Sequence, residues 1–392
     1  MIKLIKSTFF NEDLTKSRLC DFIRGAKVLS MAEECSKFEK KFSEKQGRKF
    51  AVFVNSGSSA NLILIQALLN MGRLKRGDIV GVSALTWSTN IMPLIQLGLQ
   101  PFLVDCEINT LNVSVKNLTD ALNTQPNMRA FFLTHTLGFS DDVKNISELC
   151  EKKNIILLED VCEALGSVVL EKKLGNFGLG STFSFFVGHH ISTIEGGMIC
   201  TDDEDLYHNL LTARSHGWDR HHPPEAQKKL RKMHGVDDFF AKYTFYDLGY
   251  NVRPSEINGF LGNDQLQYWD EIVRVREENF NRLHKKIKQN PDLVSLEVGH
   301  MDLISNFAIP IIVKEEKFLE IYKNKFISNN VEIRPMIAGN MARQPFFRKY
   351  ISNPGFQKNA DFIHSHSLYF GNNPELSEEE LKLLETIIVE EK

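Results

Sequence analysis

The side chains able to do chemistry lie in four short stretches, and the most informative is Thr182-Phe-Ser-Phe-Phe-Val-Gly-His189-His190-Ile-Ser-Thr-Ile-Glu195-Gly196-Gly197. His189 stands six residues before Glu-Gly-Gly, with Ser184 five residues upstream of it. An imidazole has its ordinary pKa near neutrality, so it can take up and return a proton there. It has no primary amine and cannot form an imine with an aldehyde. The competing reading of His189 is a buried, hydrogen-bonded structural histidine.

The other three stretches precede it. In Val54-Asn55-Ser56-Gly57-Ser58-Ser59-Ala60-Asn61, an apolar strand runs into a Ser/Gly turn and a helix whose apolar positions include Leu62, Ile65 and Leu68. Free N–H groups at such a helix start, with serine hydroxyls, form a cup for a phosphate, although the same residues suit plain helix initiation. Trp87, in Ala84-Leu-Thr-Trp-Ser-Thr-Asn, follows a strand, and its indole can stack on a planar ring or pack in a core or interface. Asp160 falls just past the buried strand in Ile155-Ile-Leu-Leu-Glu159-Asp160-Val-Cys-Glu163. A carboxylate there can hold a heterocyclic nitrogen protonated, which makes the ring an electron sink; a helix N-cap is the alternative.

Something must bring these stretches to one place, and the sequence supplies a rhythm for it. Apolar runs at Phe50 to Val54, Ile79 to Val82, Pro101 to Val104, Ala130 to Leu133, Ile155 to Leu158, Thr182 to Phe186 and Met198 to Cys200 alternate with helical patterns. That predicts an α/β fold with a mostly parallel seven-stranded sheet. A helix is expected from Ser30, with Ser30 and Glu33 as a capping box and Met31, Cys35, Phe38 and Phe42 as its apolar stripe. Ser215 to Lys242, polar and rich in His, Lys and Pro, is expected to be a long loop. A helix over Glu271 to Lys288 leads to strands near Asn306 to Val313 and Val331 to Arg334, with helices between and after them. The expected division is a large domain over 1–264 and a smaller C-terminal α/β domain over 265–392.

With 392 residues, 42% of them hydrophobic, the chain can bury a large core, and its net charge of -3 points to neither nucleic acid nor membrane as a partner. The opening MIKLIKSTFFNEDL turns polar too early for an export signal, so the expected location is the cytoplasm. Six scattered cysteines (Cys20, Cys35, Cys106, Cys150, Cys162, Cys200) show no metal-ligand spacing and are expected to be buried free thiols. The pairs His221-His222 and His364 with His366 are expected to be exposed loop residues rather than metal ligands.

Taken in order, phosphate cup, aromatic, strand-end Asp and the Ser184 to Gly197 segment resemble the fold-type I pyridoxal phosphate (PLP) enzymes of the nucleotide-sugar aminotransferase family. The similarity extends to Gly217-Trp-Asp-Arg220, Tyr243 to Pro254, Ile333-Arg334-Pro, and Ala338 to Pro345. In that family a lysine six residues before Glu-Gly-Gly binds PLP covalently; here His189 replaces it, as in the family's lysine-free 3-dehydratases. The resemblance implies that Gly57, Ser58 and Ser184 hold the cofactor phosphate, Trp87 stacks on the ring, Asp160 meets the pyridine nitrogen and Glu163 lies close to it. It also implies that Asn251 reaches the phosphate of a neighbouring subunit, hence a homodimer with shared active sites, and that His189 is the catalytic base. His190 receives no role.

The activity implied is removal of the C3 hydroxyl of a nucleotide-linked 4-keto-6-deoxyhexose, a GDP-sugar, in 3,6-dideoxysugar biosynthesis. L-Glutamate would convert PLP to pyridoxamine phosphate (PMP), and ammonia would be released. A related dehydratase of CDP-sugars carries an iron-sulfur cluster; the absence of cysteine after Cys200 excludes that version. Two alternatives remain: an aminotransferase whose histidine performs the proton shift, and a silent protein that only binds a nucleotide sugar. Arg220, Arg253, Arg334 and Arg343 suit a diphosphate or surface ion pairs equally well.

Overall fold

The seven apolar runs pair into a single sheet in the computed structural model, which describes residues 1–389. Its strands are β1 (Phe50–Val54), β2 (Ile79–Ser83), β3 (Gln100–Val104), β4 (Met128–Thr134), β5 (Ile156–Asp160), β8 (Gly180–Ser184) and β9 (Gly197–Thr201). A two-stranded hairpin, β6 (Val168–Val169) and β7 (Lys172–Lys173), lies between β5 and β8. The order across the large sheet is β1-β9-β8-β5-β4-β2-β3, and only β9 opposes the others, pairing antiparallel with β1 and with β8. Helices cover both faces of such a sheet, so its strands bury most of their side chains, Gln100 and Arg129 being exposed near strand starts, and show continuous apolar runs rather than alternation.

The helix Glu33–Gln46 presents Cys35, Phe38 and Phe42 to the core, as its periodicity predicts. Phe42 meets Phe183, Phe185 and Trp269 edge-on or nearly so, which locks this helix to the large sheet and to the later helix Trp269–Gln289. The expected capping box does not form. Ser30 pairs with the backbone of Ser255, and the carboxylate of Glu256 accepts the N–H groups of Ala32, Glu34 and Cys35 at 2.7, 2.8 and 3.1 Å. A carboxylate more than 200 residues away thus satisfies the helix start.

A second sheet, β10 (Ala308–Ile312), β11 (Ile333–Pro335) and β12 (Ser367–Gly371), is antiparallel with order β10-β12-β11. Its central strand β12 lies where only helices were expected after the strand near Val331 to Arg334; it follows the helix Lys358–His366 with no Gly or Pro between them. The first residues of the chain pair with this sheet. Ile2 bridges Val331, and the Leu4 N–H donates to Glu332 at 2.9 Å.

The segment 215–242 is not all loop. It holds the helix Pro224–His234, which has no buried residue and so carries no apolar stripe for periodicity to detect. Cys20 is exposed, against expectation. The histidine pairs differ too: His222 is buried with Nε2 at 2.8 Å from Thr212 Oγ1, and His364 and His366 sit on the helix Lys358–His366. Among the described residues no helix is long and apolar enough to cross a membrane.

Candidate active site

Because β1, β2, β4, β5 and β8 run the same way, their carboxyl ends share one rim of the sheet, where ligands of open α/β sheets bind. A cavity of about 360 Å³ opens there, within the range of small-molecule sites. Gly57 and Ser58 after β1, Trp87 after β2, Asp160 at the end of β5, Glu163, Ser184 at the end of β8, and His189 all line it. Asn251 does not. It is exposed, and its Oδ1 accepts from Arg253 Nε at 3.0 Å.

The cup is built by close backbone approach. Ser56 caps the helix Gly57–Asn70, its hydroxyl accepting the Ser59 N–H at 3.0 Å, and among the described residues no hydrogen bond reaches the backbone N–H of Gly57 or Ser58. A Cβ on Gly57 would stand 2.6 Å from Ser184 Cβ, and one on Gly197 would stand 2.3 Å from Ser56 O and 2.6 Å from Gly57 N. Glycine at 197 therefore lets β9 press against the turn that offers the two free donors.

Trp87 is 49% exposed at the mouth of the cavity, so it is no core residue. Asp160 is buried; its Oδ2 accepts from Asn90 Nδ2 at 2.7 Å and Asn61 Nδ2 at 3.4 Å, and its Oδ1 accepts the Cys162 N–H at 2.9 Å. No helix starts at Asp160, so the N-cap alternative is not realised. Asn61 and Asn90, which the sequence reading passed over, hold the carboxylate from two sides. The signal for Asn61 was a carboxamide that lies buried beside the apolar run Leu62 to Ile65 of its helix. Glu159, next in the strand, serves structure instead: it is fully buried, pairs with His135 at 3.0 Å and accepts the N–H groups of Gly175, Phe177 and Gly178.

Glu163 is buried, and its Oε2 accepts the Leu137 N–H at 2.6 Å. Burial, with the Asp160 charge adding to it, pushes its pKa up to about 8, against the pull of the Leu137 bond. A carboxyl whose folded pKa lies above its unfolded value stabilises fully below the unfolded value of about 4.5 and loses that contribution as pH rises through about 8. Glu163→Gln keeps an acceptor for Leu137 and cannot ionise. Denaturant melts are expected to show the wild type losing stability relative to this variant between about pH 5 and pH 8, whereas parallel profiles would contradict the assignment.

His189 is half-buried, its ring edge-on to Phe307 at 5.2 Å and 82°. Nδ1 is enclosed without a hydrogen-bond partner, while Nε2 is not so enclosed. Burial pulls the pKa down to about 4, with Arg276 adding to this and the Ser184 carbonyl and Asp160 opposing it. The imidazole is accordingly neutral at pH 7 and able to accept a proton. His190 points elsewhere. Its Nε2 lies 2.8 Å from Ser305 O, it is buried, and burial above all holds its pKa well below the usual value. No lysine is among the described residues that line the cavity.

Of the four arginines, Arg343 forms a two-point ion pair with Asp361 at 2.7 and 3.0 Å and Arg334 pairs with Glu332. Arg220 stacks over Trp218 at 3.9 Å.

The features of the cavity fit pyridoxal phosphate: two unpaired N–H donors in a cup that a Cβ would fill, an open indole, and a buried carboxylate fixed by two amides. Fold and site together place the protein in the sugar-aminotransferase class of α/β proteins. Residues 12–388 match the DegT/DnrJ/EryC1/StrS aminotransferase family model, and the chain belongs to that family. It is 37% identical, over 89% of its length and 90% of the relative's, to GDP-4-keto-6-deoxy-D-mannose 3-dehydratase of Escherichia coli O55:H7. The Yersinia pseudotuberculosis enzyme of the same name is 34% identical over 98% of this chain and 97% of its own. A crystal structure of GDP-4-keto-6-deoxymannose-3-dehydratase with a trapped PLP-glutamate geminal diamine superposes with a TM-score of 0.91 at 34% identity, covering 99% of this chain and 100% of that one.

Gly197→Ala tests the cup. The added methyl has only backbone to meet, so the turn must shift, and PLP titrated by absorbance is expected to bind at least about tenfold more weakly. Unchanged affinity would remove the turn from the phosphate site.

Proposed function

We propose that the protein is a PLP- and PMP-dependent 3-dehydratase of GDP-4-keto-6-deoxy-D-mannose that uses L-glutamate as amino donor. The observation that carries the reading is His189 on the wall of a cavity that fits PLP and has no lysine among the described residues that line it. The named relatives share that activity over nearly the full chain.

When bound, the cofactor supplies in its amine form a group that condenses with the sugar's C4 ketone and a ring that accepts electrons. Gly57, Ser58 and Ser184 bind its phosphate, and Trp87 covers the ring. Asp160, held by Asn61 and Asn90, keeps the pyridine nitrogen protonated. Glu163, neutral or nearly so at pH 7, adds little charge beside it. The neutral Nε2 of His189 removes a proton from the cofactor's C4′ carbon and delivers one to the departing C3 hydroxyl, which leaves as water. Overall, the oxygen lost from the sugar is matched by the one gained when glutamate becomes 2-oxoglutarate and ammonia.

The same reading includes a homodimer in the cytoplasm, with Asn251 of the partner subunit completing the phosphate site. In support, Phe239, Phe240, Tyr243, Phe245 and Leu248 are 57–78% exposed just before Asn251, an apolar stretch suited to a second copy.

With no lysyl link, retention rests on the cup and the indole, so occupancy follows free cofactor concentration. Dialysis is expected to strip PLP from the protein, and borohydride to leave no pyridoxyl adduct on it. A stable adduct on a lysine would overturn the reading.

A further inference from the structure

Both histidines of the pair are gripped by Ser305-Asn306-Phe307, whose last two residues were expected to begin a strand and instead lie just before β10 (Ala308–Ile312). The Phe307 ring meets the His189 ring edge-on at 5.2 Å, and the Ser305 carbonyl lies 2.8 Å from His190 Nε2. The Ser305 N–H donates to Ser167 Oγ at 2.9 Å, and the Phe307 N–H donates to the Leu137 carbonyl at 2.9 Å. Leu137 is the residue whose own N–H ends on Glu163. The segment leads into β10 of the small sheet, whereas the histidines and Glu163 sit on loops of the large one.

Arg276, on the helix Trp269–Gln289, holds this segment. It is only 4% exposed and forms no ion pair among the described residues. Its guanidinium donates to the carbonyls of Asn306 at 3.4 Å, Phe307 at 3.2 Å and Asn372. Asn372 in turn donates to Asn306 Oδ1 at 2.7 Å and to the Arg276 carbonyl at 2.8 Å. Burying a cation against carbonyl dipoles alone is costly, and an aliphatic side chain would fill the space without that cost.

We propose that Arg276 is a positioning residue for His189: by fixing the carbonyls of residues 306 and 307 it sets Phe307 against the imidazole edge and Ser305 against His190, so that Nε2 stays directed into the cavity. The inference rests on the reading of His189 as the base. Placement adds an electrostatic consequence, because Arg276 is a positive charge close to both imidazoles and favours their neutral forms. The other titratable groups around His189 among the described residues are Asp160 from β5, which acts in the opposite sense, His190 beside it, and Cys162, Glu163, Glu195 and Tyr369 on the cavity wall.

The test uses Arg276→Met, Arg276→Lys and Phe307→Leu in the full chain loaded with PLP. Arg276→Met and Phe307→Leu are expected to lower kcat about 10- to 100-fold, with KM for the nucleotide sugar within about twofold and PLP binding unchanged. Arg276→Lys is expected to recover part of the loss. In apo protein with labelled histidine, the His189 signal, assigned by its loss in His189→Asn, should titrate at higher pH in Arg276→Met than in wild type. In Phe307→Leu the charge is intact, and the signal should broaden without that shift.

Wild-type kcat and an unmoved His189 signal in Arg276→Met would overturn the proposal, as would loss of PLP binding in step with activity, which marks a general scaffold role. Should Arg276→Met fail to fold, Phe307→Leu decides through kcat. Absence of any dehydration by the wild type would instead defeat the functional reading, and the histidine titration would still test the clamp.

Discussion

His189→Asn is expected to abolish turnover, with kcat down by about 10²- to 10⁴-fold, the usual worth of a positioned acid–base group. Asparagine preserves much of the volume against Phe307 but cannot accept a proton at neutral pH. Cofactor binding should stay near the wild-type level, because the cup at Gly57 and Ser58 and the indole of Trp87 owe nothing to the imidazole. Release of 2-oxoglutarate and ammonia measures the first effect and an absorbance titration with PLP the second. Full activity in the variant would remove the histidine from the reaction.

Asp160→Asn is the second large effect, and it acts through two routes. The carboxylate that keeps the ring nitrogen charged is lost, an electrostatic change expected to lower kcat about 10²- to 10³-fold. The new amide can also direct its N–H groups at Asn90 and Asn61, which now donate to Oδ2. A buried donor facing a donor costs about 1–3 kcal/mol, so the thermal midpoint should fall as well. Activity close to wild type would show that Asp160 serves the turn at Cys162 and not the cofactor.

The strands were legible because a parallel sheet buried on both faces leaves an unmistakable trace of short apolar runs, and all seven fall where those runs predict. Gly57, Ser58, Trp87, Asp160, Glu163, Ser184 and His189 were legible as candidates because each follows or ends a strand, and parallel strands deliver such positions to one rim. Elements whose cause is distant were hidden. Glu256 caps a helix that Ser30 was expected to cap, and Ser305 to Phe307 reach the histidines only through the fold. β12 was hidden by its unbroken junction with a helix, and Pro224–His234 by its lack of a buried face. Asn251 is exposed and lies outside the cavity of its own chain, and only the proposed homodimer gives it a part in a site.

In the proposed reaction the imidazole of His189, in place of an imine-forming amine, turns amino transfer into loss of the C3 oxygen. This is tested most directly by the mass of the sugar product formed with nitrogen-labelled glutamate, PLP and GDP-4-keto-6-deoxy-D-mannose. The expected product is a nucleotide sugar one oxygen lighter and free of label, with the label recovered as ammonium. A product that keeps its C3 oxygen and carries the labelled nitrogen would contradict it.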